Sequence, residues 1–161
     1  MFSNQITIVE LAEELLTLGL KWSTTDEPRK ERALHARSAL QKFIRLAQKE
    51  GHSPEAINAA HFALSAYLDE KGMADGETLQ LCSEFHGEPD GGEMFFKRLD
   101  ELDVHGSLHS VKQLYLLCLV FGFEGCYRNL EGELADEALL REAEALWERS
   151  VPSVNSYRPH G

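Results

Sequence analysis

The spacing of apolar residues restricts the fold more than any other feature of the sequence. Apolar residues recur at intervals of three and four along most of the chain, which lines one face of an α-helix, and strand-like alternation is nearly absent. Residues 53–68 are apolar over a wide face and are expected to lie centrally. The sequence therefore predicts an all-α fold: a single domain of about seven helices arranged as two packed helical bundles with a groove between them.

Glycine, proline and capping residues mark the predicted helix ends. The first helix is predicted to end near Gly19, and the second, with Pro28 in its first turn, to stop at Gly51. Ser53 is predicted to cap the third helix, with Pro54 at its first position. Further helices are expected over residues 77–85, 91–102, 107–121 and 136–149. The helical domain would then cover residues 1–150, followed by a tail or linker over residues 151–161.

Charge and cysteine content exclude several classes of protein. The formal net charge of −11 argues against a nucleic-acid or anionic-lipid surface, which would need a basic face. Cys82, Cys118 and Cys126 lack metal-ligand spacing, so reduced thiols in a cytoplasmic setting are expected. No signal-peptide pattern opens the chain, and its longest apolar run, residues 114–121, is too short to span a bilayer. The chain as given is expected to be soluble.

The segment FHGEPDGGEMFF, residues 85–96, places acids, a proline and paired glycines between aromatic residues. Asp90 followed three residues later by Glu93 fits a capping box, and the two glycines between them allow a tight entry into a helix. This pattern predicts a helix start without any ligand. The residues assigned to it are Asp90, Gly91, Gly92, Glu93 and Phe95, the last packing inward.

The segment GFEGCYR, residues 122–128, follows the most apolar helix. Gly122 suits a left-handed C-cap and Gly125 a second sharp bend. The segment lacks the GK[ST] of a phosphate loop. Glu124 and Arg128 are spaced to pair locally.

Asp69 and Glu70 form an adjacent acidic pair at a helix C-terminus, where the helix dipole disfavours negative charge. An unfavourable position suggests a second role. The pair is expected either to bind Arg128 or to offer an exposed docking point for a partner.

A small metal-binding or hydrolytic domain is the alternative interpretation, because His and Glu side chains ligate metals and transfer protons. Its residues would be His86, Glu88, His105 and His109. His105 is expected to precede the helix that holds His109, however, and no nucleophile-elbow pattern occurs. We therefore predict no catalytic residue, no metal and no cofactor.

Three segments in fixed order, ALSAYLDE (residues 63–70), FHGEPDGGEMFFKRLDEL (residues 85–102) and YLLCLVFGFEGCYR (residues 115–128), closely resemble the DotU/TssL family, also called IcmH. Its members are components of type VI and type IVB secretion systems. Tyr127 belongs to the resembling Gly-Phe-Glu-Gly-x-Tyr-Arg pattern. The ordered set is far more specific than any one segment.

The resemblance implies a non-enzymatic helical scaffold on the cytoplasmic side of the bacterial inner membrane, normally held by one C-terminal transmembrane helix. It implies contacts with a TssM/IcmF-like inner-membrane protein and a TssK-like baseplate protein, and a homodimer through a helical face is a further expectation. The acidic pair used for docking in the family maps onto Asp69 and Glu70. The partner-binding residues predicted in this way are Asp69, Glu70, His86, Glu88, Glu124 and Arg128.

The sequence also departs from the family pattern. The membrane anchor is missing from the chain as given, which indicates a truncated soluble form or an unanchored adaptor that has lost the secretion role. Residues 71–84 are shorter than usual and lack a tryptophan-containing stretch. Lys112 and Gln113 stand where an acid is common, and Cys126 where a basic residue is. These differences bear on partner specificity more than on the fold.

Overall fold

The computed structural model describes residues 5–105 and 108–125, together with Arg141. These residues form six α-helices and one 3₁₀ helix, with no β-strand among them. In chain order they are α1 (Ile8–Lys21), the 3₁₀ helix (Trp22–Thr24), α2 (Arg29–Lys49), α3 (Pro54–Lys71), α4 (Leu81–His86), α5 (Gly91–His105) and α6 (His109–Val120). The all-α prediction is confirmed. The grouping into two bundles stays a prediction, and the predicted helix 136–149, Arg141 apart, and tail 151–161 lie outside the described residues.

Helix α3 occupies the centre of the molecule, as its wide apolar face predicts. Its start is fixed by Ser53, whose hydroxyl accepts a hydrogen bond from the Ala56 N–H (3.1 Å), and by Pro54 at the first position. All five other α-helices pack against it. Every residue from Ala56 to Asp69 is buried except two, Asn58 and Ala59. This helix therefore lies at the centre of the core, and its packing fixes the positions of the residues at its C-terminal end.

Gly19 does not end α1, which continues to Lys21. The glycine is buried inside the helix, where a Cβ atom would lie 2.5 Å from a ring carbon of Tyr67. The Tyr67 hydroxyl donates a hydrogen bond to the Leu16 carbonyl (2.7 Å), which holds the ring against α1. Gly19 is thus needed for close helix packing, and α1 ends two residues beyond it, near the predicted position.

Four other boundaries differ from the predictions. The helix predicted over residues 77–85 begins only at Leu81, because Gln80 adopts a left-handed conformation (φ 62°) and Ala74 pairs with Glu77 through the backbone. Pro28 is the N-cap of α2 rather than a residue of its first turn. α5 extends to His105 and α6 begins at His109.

One predicted helix end is present. Gly51 ends α2 with φ 85°, the left-handed conformation that favours glycine. Among the described residues, no helix has both the length and the apolar character needed to cross a membrane.

Candidate functional site at the end of α3

Asp69 lies in the last turn of α3, and its carboxylate caps a different helix. Oδ1 accepts a hydrogen bond from the Leu81 N–H (2.6 Å) and Oδ2 accepts one from the Cys82 N–H (3.0 Å). These residues open α4, where N–H groups lack partners within the helix. The side chain of Gln80, the N-cap residue of α4, makes no capping bond to the described chain. Asp69 therefore supplies from α3 the cap that α4 does not provide itself.

Burial governs proton binding at this contact. Loss of water raises the pKa of the Asp69 carboxyl, and the hydrogen bonds from Cys82 and Leu81 act in the opposite direction. Burial, followed by the charge of Asp69, raises the pKa of the Cys82 thiol. The thiol therefore stays protonated at neutral pH and hydrogen-bonds to the carboxylate. A protonated, buried thiol is a poor nucleophile, so this cysteine is structural.

Glu70, the next residue, binds a second segment in the same way. Its Oε2 accepts a hydrogen bond from the Glu124 N–H (2.8 Å) and its Oε1 accepts one from the Gly125 N–H (2.9 Å). The two adjacent acids thus each bind two consecutive backbone N–H groups, one pair from α4 and one from the loop after α6. We call the residues assembled here, 69–70, 81–82, 90–93 and 122–125, the motif cluster.

The loop after α6 begins with the left-handed C-cap predicted from sequence. Gly122 has φ 99°, its N–H donates to the Leu119 carbonyl (3.0 Å), and the Phe123 N–H donates to the Cys118 carbonyl (2.9 Å). This pair of bonds is the Schellman pattern that closes a helix. Closure at Gly122 turns the chain back toward Glu70, which explains how Glu124 and Gly125 reach its carboxylate.

Replacement of Gly125 by alanine is expected to lower the free energy of unfolding by about 2 kcal/mol. Gly125 has φ 58°, which alone costs an L-residue about 1–2 kcal/mol. An added Cβ atom would also lie 2.7 Å from the Gly92 carbonyl oxygen, at the start of α5. Urea denaturation measures the loss.

Gly87→Ala is the matched control for this substitution. Gly87 has a similar φ of 62°, but no atom lies within 4 Å of an added Cβ atom. It should therefore show only the conformational cost. Equal losses in the two variants would mean that the contact between Gly125 and Gly92 does not hold the loop on α5.

The start of α5 is capped, but not by the predicted reciprocal box. Asp90 accepts a hydrogen bond from the Glu93 N–H (3.2 Å), as predicted. The Asp90 N–H, however, donates to Glu88 Oε1 (3.2 Å), and Glu93 instead pairs with Lys97 at 3.6 Å. The capping-box prediction is therefore half correct: Asp90 binds the Glu93 N–H, but Glu88 takes the place of Glu93 on the Asp90 N–H. Glu88 is nearer to Asp90 in the chain and reaches its N–H over a shorter path.

The glycines of this segment allow close packing around the motif cluster. A Cβ atom on Gly91 would lie 2.7 Å from the Cys82 sulfur, so α5 starts against α4. Phe95 is buried as predicted, with its ring centroid 4.3 Å from that of Phe123 and 4.7 Å from that of Tyr115. The rings join α5, α6 and the following loop into one rigid unit.

A small cleft of about 170 Å³ lies beside both acids. Its walls include Asp69, Glu70, Gly91, Gly92 and Phe123. Pockets that enclose small ligands typically measure about 300–1,000 Å³. The cleft is therefore small for a substrate site, and the acids beside it are engaged with backbone N–H groups.

The expectation that the acidic pair is exposed needs correction. Asp69 is 8% exposed and Glu70 is half-buried. A lysine at position 69 would remove two hydrogen bonds and bury a cation, so charge reversal there would not leave the domain folded. Arg128 and Tyr127 lie outside the described residues. The partner-binding role of these positions stays a prediction.

His86 is bonded to a residue that the sequence interpretation missed. His61 Nδ1 and His86 Nε2 lie 2.8 Å apart, so one ring donates and the other accepts. Burial, followed by the charge of His86, lowers the pKa of His61 to about 4. Burial, followed by the charge of Arg98, also lowers the pKa of His86. At neutral pH the pair is therefore uncharged, and it lines a pocket of about 400 Å³.

Three residues of the alternative metal or hydrolytic site, His86, Glu88 and His109, have other partners, and the side chain of His105 lies outside the described residues. His86 bonds His61, and Glu88 accepts from the Asp90 N–H. His105 ends α5, while His109 opens α6 and lies 3.5 Å from the Gln113 side-chain amide. Among the side chains that the structure describes, in residues 5–102 and 108–125, no group of three or more His, Cys, Asp or Glu could hold a metal ion.

Comparison with solved structures gives the class of protein. The cytoplasmic domain of TssL from Acinetobacter baumannii matches with a TM-score of 0.74 and 21% identity, over 90% of this chain and 97% of that one. TssL from Vibrio cholerae matches with a TM-score of 0.72 and 24% identity, over 93% of this chain and 99% of that one. At these identities the likeness establishes the fold: a small all-α domain of the TssL type.

The family model for type VI secretion system protein DotU matches residues 7–160. The chain therefore belongs to the DotU family of type VI secretion system proteins. A search of curated proteins found no significant match. The family resemblance inferred from the three ordered segments is confirmed.

Sequence signals for the acidic pair and for His61 were uneven. Asp69 and Glu70 stood out because acids at a helix C-terminus are unfavourable, and the structure explains them through their bonds to α4 and the loop after α6. His61 had a weaker signal, a titratable side chain among the alanines and aromatics of a buried helix face. Its bond to His86 depends on the packing of α4 against α3.

Proposed function

We propose that this protein is a non-enzymatic scaffold that links a TssM/IcmF-like inner-membrane protein to a TssK-like baseplate protein in a type VI secretion system. Membership of the DotU family supports the assignment to the secretion system. The proposed location is the cytoplasmic side of the inner membrane, and the TssL structure that shares the fold is a cytoplasmic domain. The two named contacts are the specific part of the proposal.

One observation carries the scaffold proposal: residues of all three family segments line the cleft at the end of α3, and hydrogen bonds from backbone N–H groups to carboxylates fix the chain around it. Asp69 and Glu70 bind two N–H groups each, and Asp90 binds the Glu93 N–H. Carboxylates used in this way set the positions of loops. Loops that are already fixed lose little conformational entropy when a partner binds, which favours association.

The structure divides the predicted partner-binding residues by exposure. Glu88, His86 and Glu124 are half-buried at or beside the motif cluster, so part of each side chain is available to a partner. Asp69 acts from beneath the surface, as a positioning residue for α4. We propose that partners contact the half-buried side chains and that Asp69 sets their arrangement.

Affinity purification of the tagged chain from its native cell tests the proposed links. We expect a TssK-like baseplate protein and a TssM-like inner-membrane protein to be recovered with it. Glu88→Lys is expected to reduce recovery of at least one of them about tenfold, since interface substitutions that matter cost about 1.4 kcal/mol or more.

Glu13→Lys is the matched control, because Glu13 is an exposed acid on α1 and the charge change is the same. Circular dichroism should show that both variants keep the helix content of the unchanged chain. Equal recovery with Glu88→Lys and Glu13→Lys would remove Glu88 from the contact. Recovery of neither class of protein with the unchanged chain would refute the linking role.

A further inference from the structure

Helix α2 has a charge opposite to that of the rest of the molecule. Seven of its 21 residues are lysine or arginine and one is acidic. The helix alone carries a formal charge of +6, so the other residues together carry −17. The negative average therefore hides a basic face, which the sequence-based exclusion of anionic surfaces did not consider.

Five of the seven basic residues of α2 fall into two groups. Those at the edges of the exposed face pair with acids of neighbouring helices: Lys42 Nζ lies 3.0 Å from Glu14 of α1, and Arg37 lies 2.8 Å from Glu84 of α4. Lys30, Arg45 and Lys49 are exposed on the outer face. In the described part of the chain none of these three has a carboxylate within ion-pair distance.

The outer residues form one line along the helix. At 3.6 residues per turn, Lys30, Leu34, Arg45 and Lys49 fall within a sector of about 100°, and they extend over roughly 28 Å. Leu34 is 56% exposed in the middle of the positive charges. We call these four residues the α2 stripe. Its shape is a convex ridge, and none of its residues lines the cleft or the histidine pocket described above.

We propose that the α2 stripe lies against an anionic lipid surface. A long convex ridge of unpaired cations with one exposed leucine fits a flat layer of phosphate headgroups, since each Lys or Arg near such a surface contributes independently of exact geometry. A specific protein contact would instead favour a buried aromatic or arginine anchor in a pocket. The inference rests on the proposed function, which places the domain beside the inner membrane.

The negative charge elsewhere does not cancel the attraction. α2 packs on α1 and α3, and α5 and α6 pack on α3. Each layer of helices adds about 8–10 Å, and the Debye length at physiological ionic strength is about 8 Å. Acids on α5 are therefore largely screened from a surface that touches α2. Of the nearer acids, Glu14 and Glu84 are paired, and Glu31, exposed beside Lys30 on α2 itself, offsets one positive charge of this face.

Vesicle flotation with the purified 161-residue chain tests the proposal. We expect binding to phosphatidylcholine vesicles that contain about 40 mol% phosphatidylglycerol, no binding to pure phosphatidylcholine, and a strong decrease in binding between about 50 and 300 mM salt. The double variant Arg45→Glu with Lys49→Glu should weaken binding at least about tenfold, because two attractions become repulsions.

Lys21→Glu with Lys97→Glu is the matched control. Both lysines are exposed and lie on α1 and α5, and either double variant lowers the formal net charge from −11 to −15. The control should keep at least half of the binding. An equal loss in both variants, no preference for phosphatidylglycerol, or capture of a soluble polyglutamate peptide without vesicle binding would each overturn the proposal, the last in favour of an acidic protein partner.

The flotation result and the proposed scaffold function can fail separately. The assay contains only the purified chain and lipid, so its failure would leave the capture of secretion proteins from cells unaffected. Conversely, loss of the proposed links would not change vesicle binding by the α2 stripe.

Discussion

Replacement of Asp69 by alanine is expected to lower the free energy of unfolding by about 4 kcal/mol. The substitution leaves the N–H groups of Leu81 and Cys82 without their acceptors, and a buried donor without a partner costs about 1–3 kcal/mol. For a domain of this size the thermal midpoint should fall by roughly 10 °C. Urea denaturation and thermal melting at pH 7 measure both effects.

Two further variants separate the cap from a general effect of charge. Asp69→Asn keeps one acceptor oxygen but turns an NH₂ group toward the second N–H, so its loss should be intermediate. Asp26→Ala removes an exposed aspartate that precedes α2 and should change stability by less than about 0.5 kcal/mol. A loss for Asp69→Ala no larger than that for Asp26→Ala would show that the carboxylate does not cap α4.

Acidification is expected to destabilise the domain through His61. In the unfolded chain a histidine binds its proton near pH 6.5, whereas burial lowers the pKa of His61 to about 4 in the folded protein. Between these values the unfolded state binds more protons, so stability falls as the pH falls from 6.5 to about 4. The difference corresponds to roughly 3 kcal/mol, at about 1.4 kcal/mol per pKa unit. His86, whose pKa is also lowered, acts in the same direction.

Urea denaturation at several pH values between 7 and 4.5 measures this effect. His61→Asn removes the titrating ring and keeps a polar group, so its stability should depend less on pH than that of the unchanged protein. Groups that do not contact His61 cancel in that difference, including Asp69, whose raised pKa acts in the opposite direction. Parallel curves for His61→Asn and the unchanged protein would contradict the prediction.

Local signals in the sequence were enough to predict much of the fold. Helix starts and ends depend on signals within a few residues. The structure places these signals, Ser53 with Pro54 and Gly51, as expected. The wide apolar face of α3 also predicted its central position, because the spacing of apolar residues indicates how much of a helix surface is buried. The family segments gave the class of protein.

Features that depend on tertiary contact could not be predicted in the same way. Gly19 looks like a helix end in the sequence, but it accommodates the ring of Tyr67 from a residue 48 positions away in the chain. The acids at the end of α3 look exposed, but they bind N–H groups of segments that approach only in the folded protein. The net charge of the chain did not reveal the positive charge of α2, because it sums the charges of all faces of the molecule.

The most direct test of the motif cluster is amide hydrogen exchange resolved at single residues. We expect the amides of Leu81, Cys82, Glu124 and Gly125 to be protected at neutral pH, since each donates to a carboxylate. Glu70→Ala should increase exchange at Glu124 and Gly125 while Leu81 and Cys82 stay protected. Rapid exchange of all four amides in the unchanged protein, or unaltered exchange at Glu124 and Gly125 in Glu70→Ala, would contradict the conclusion that the two acids hold these segments in place.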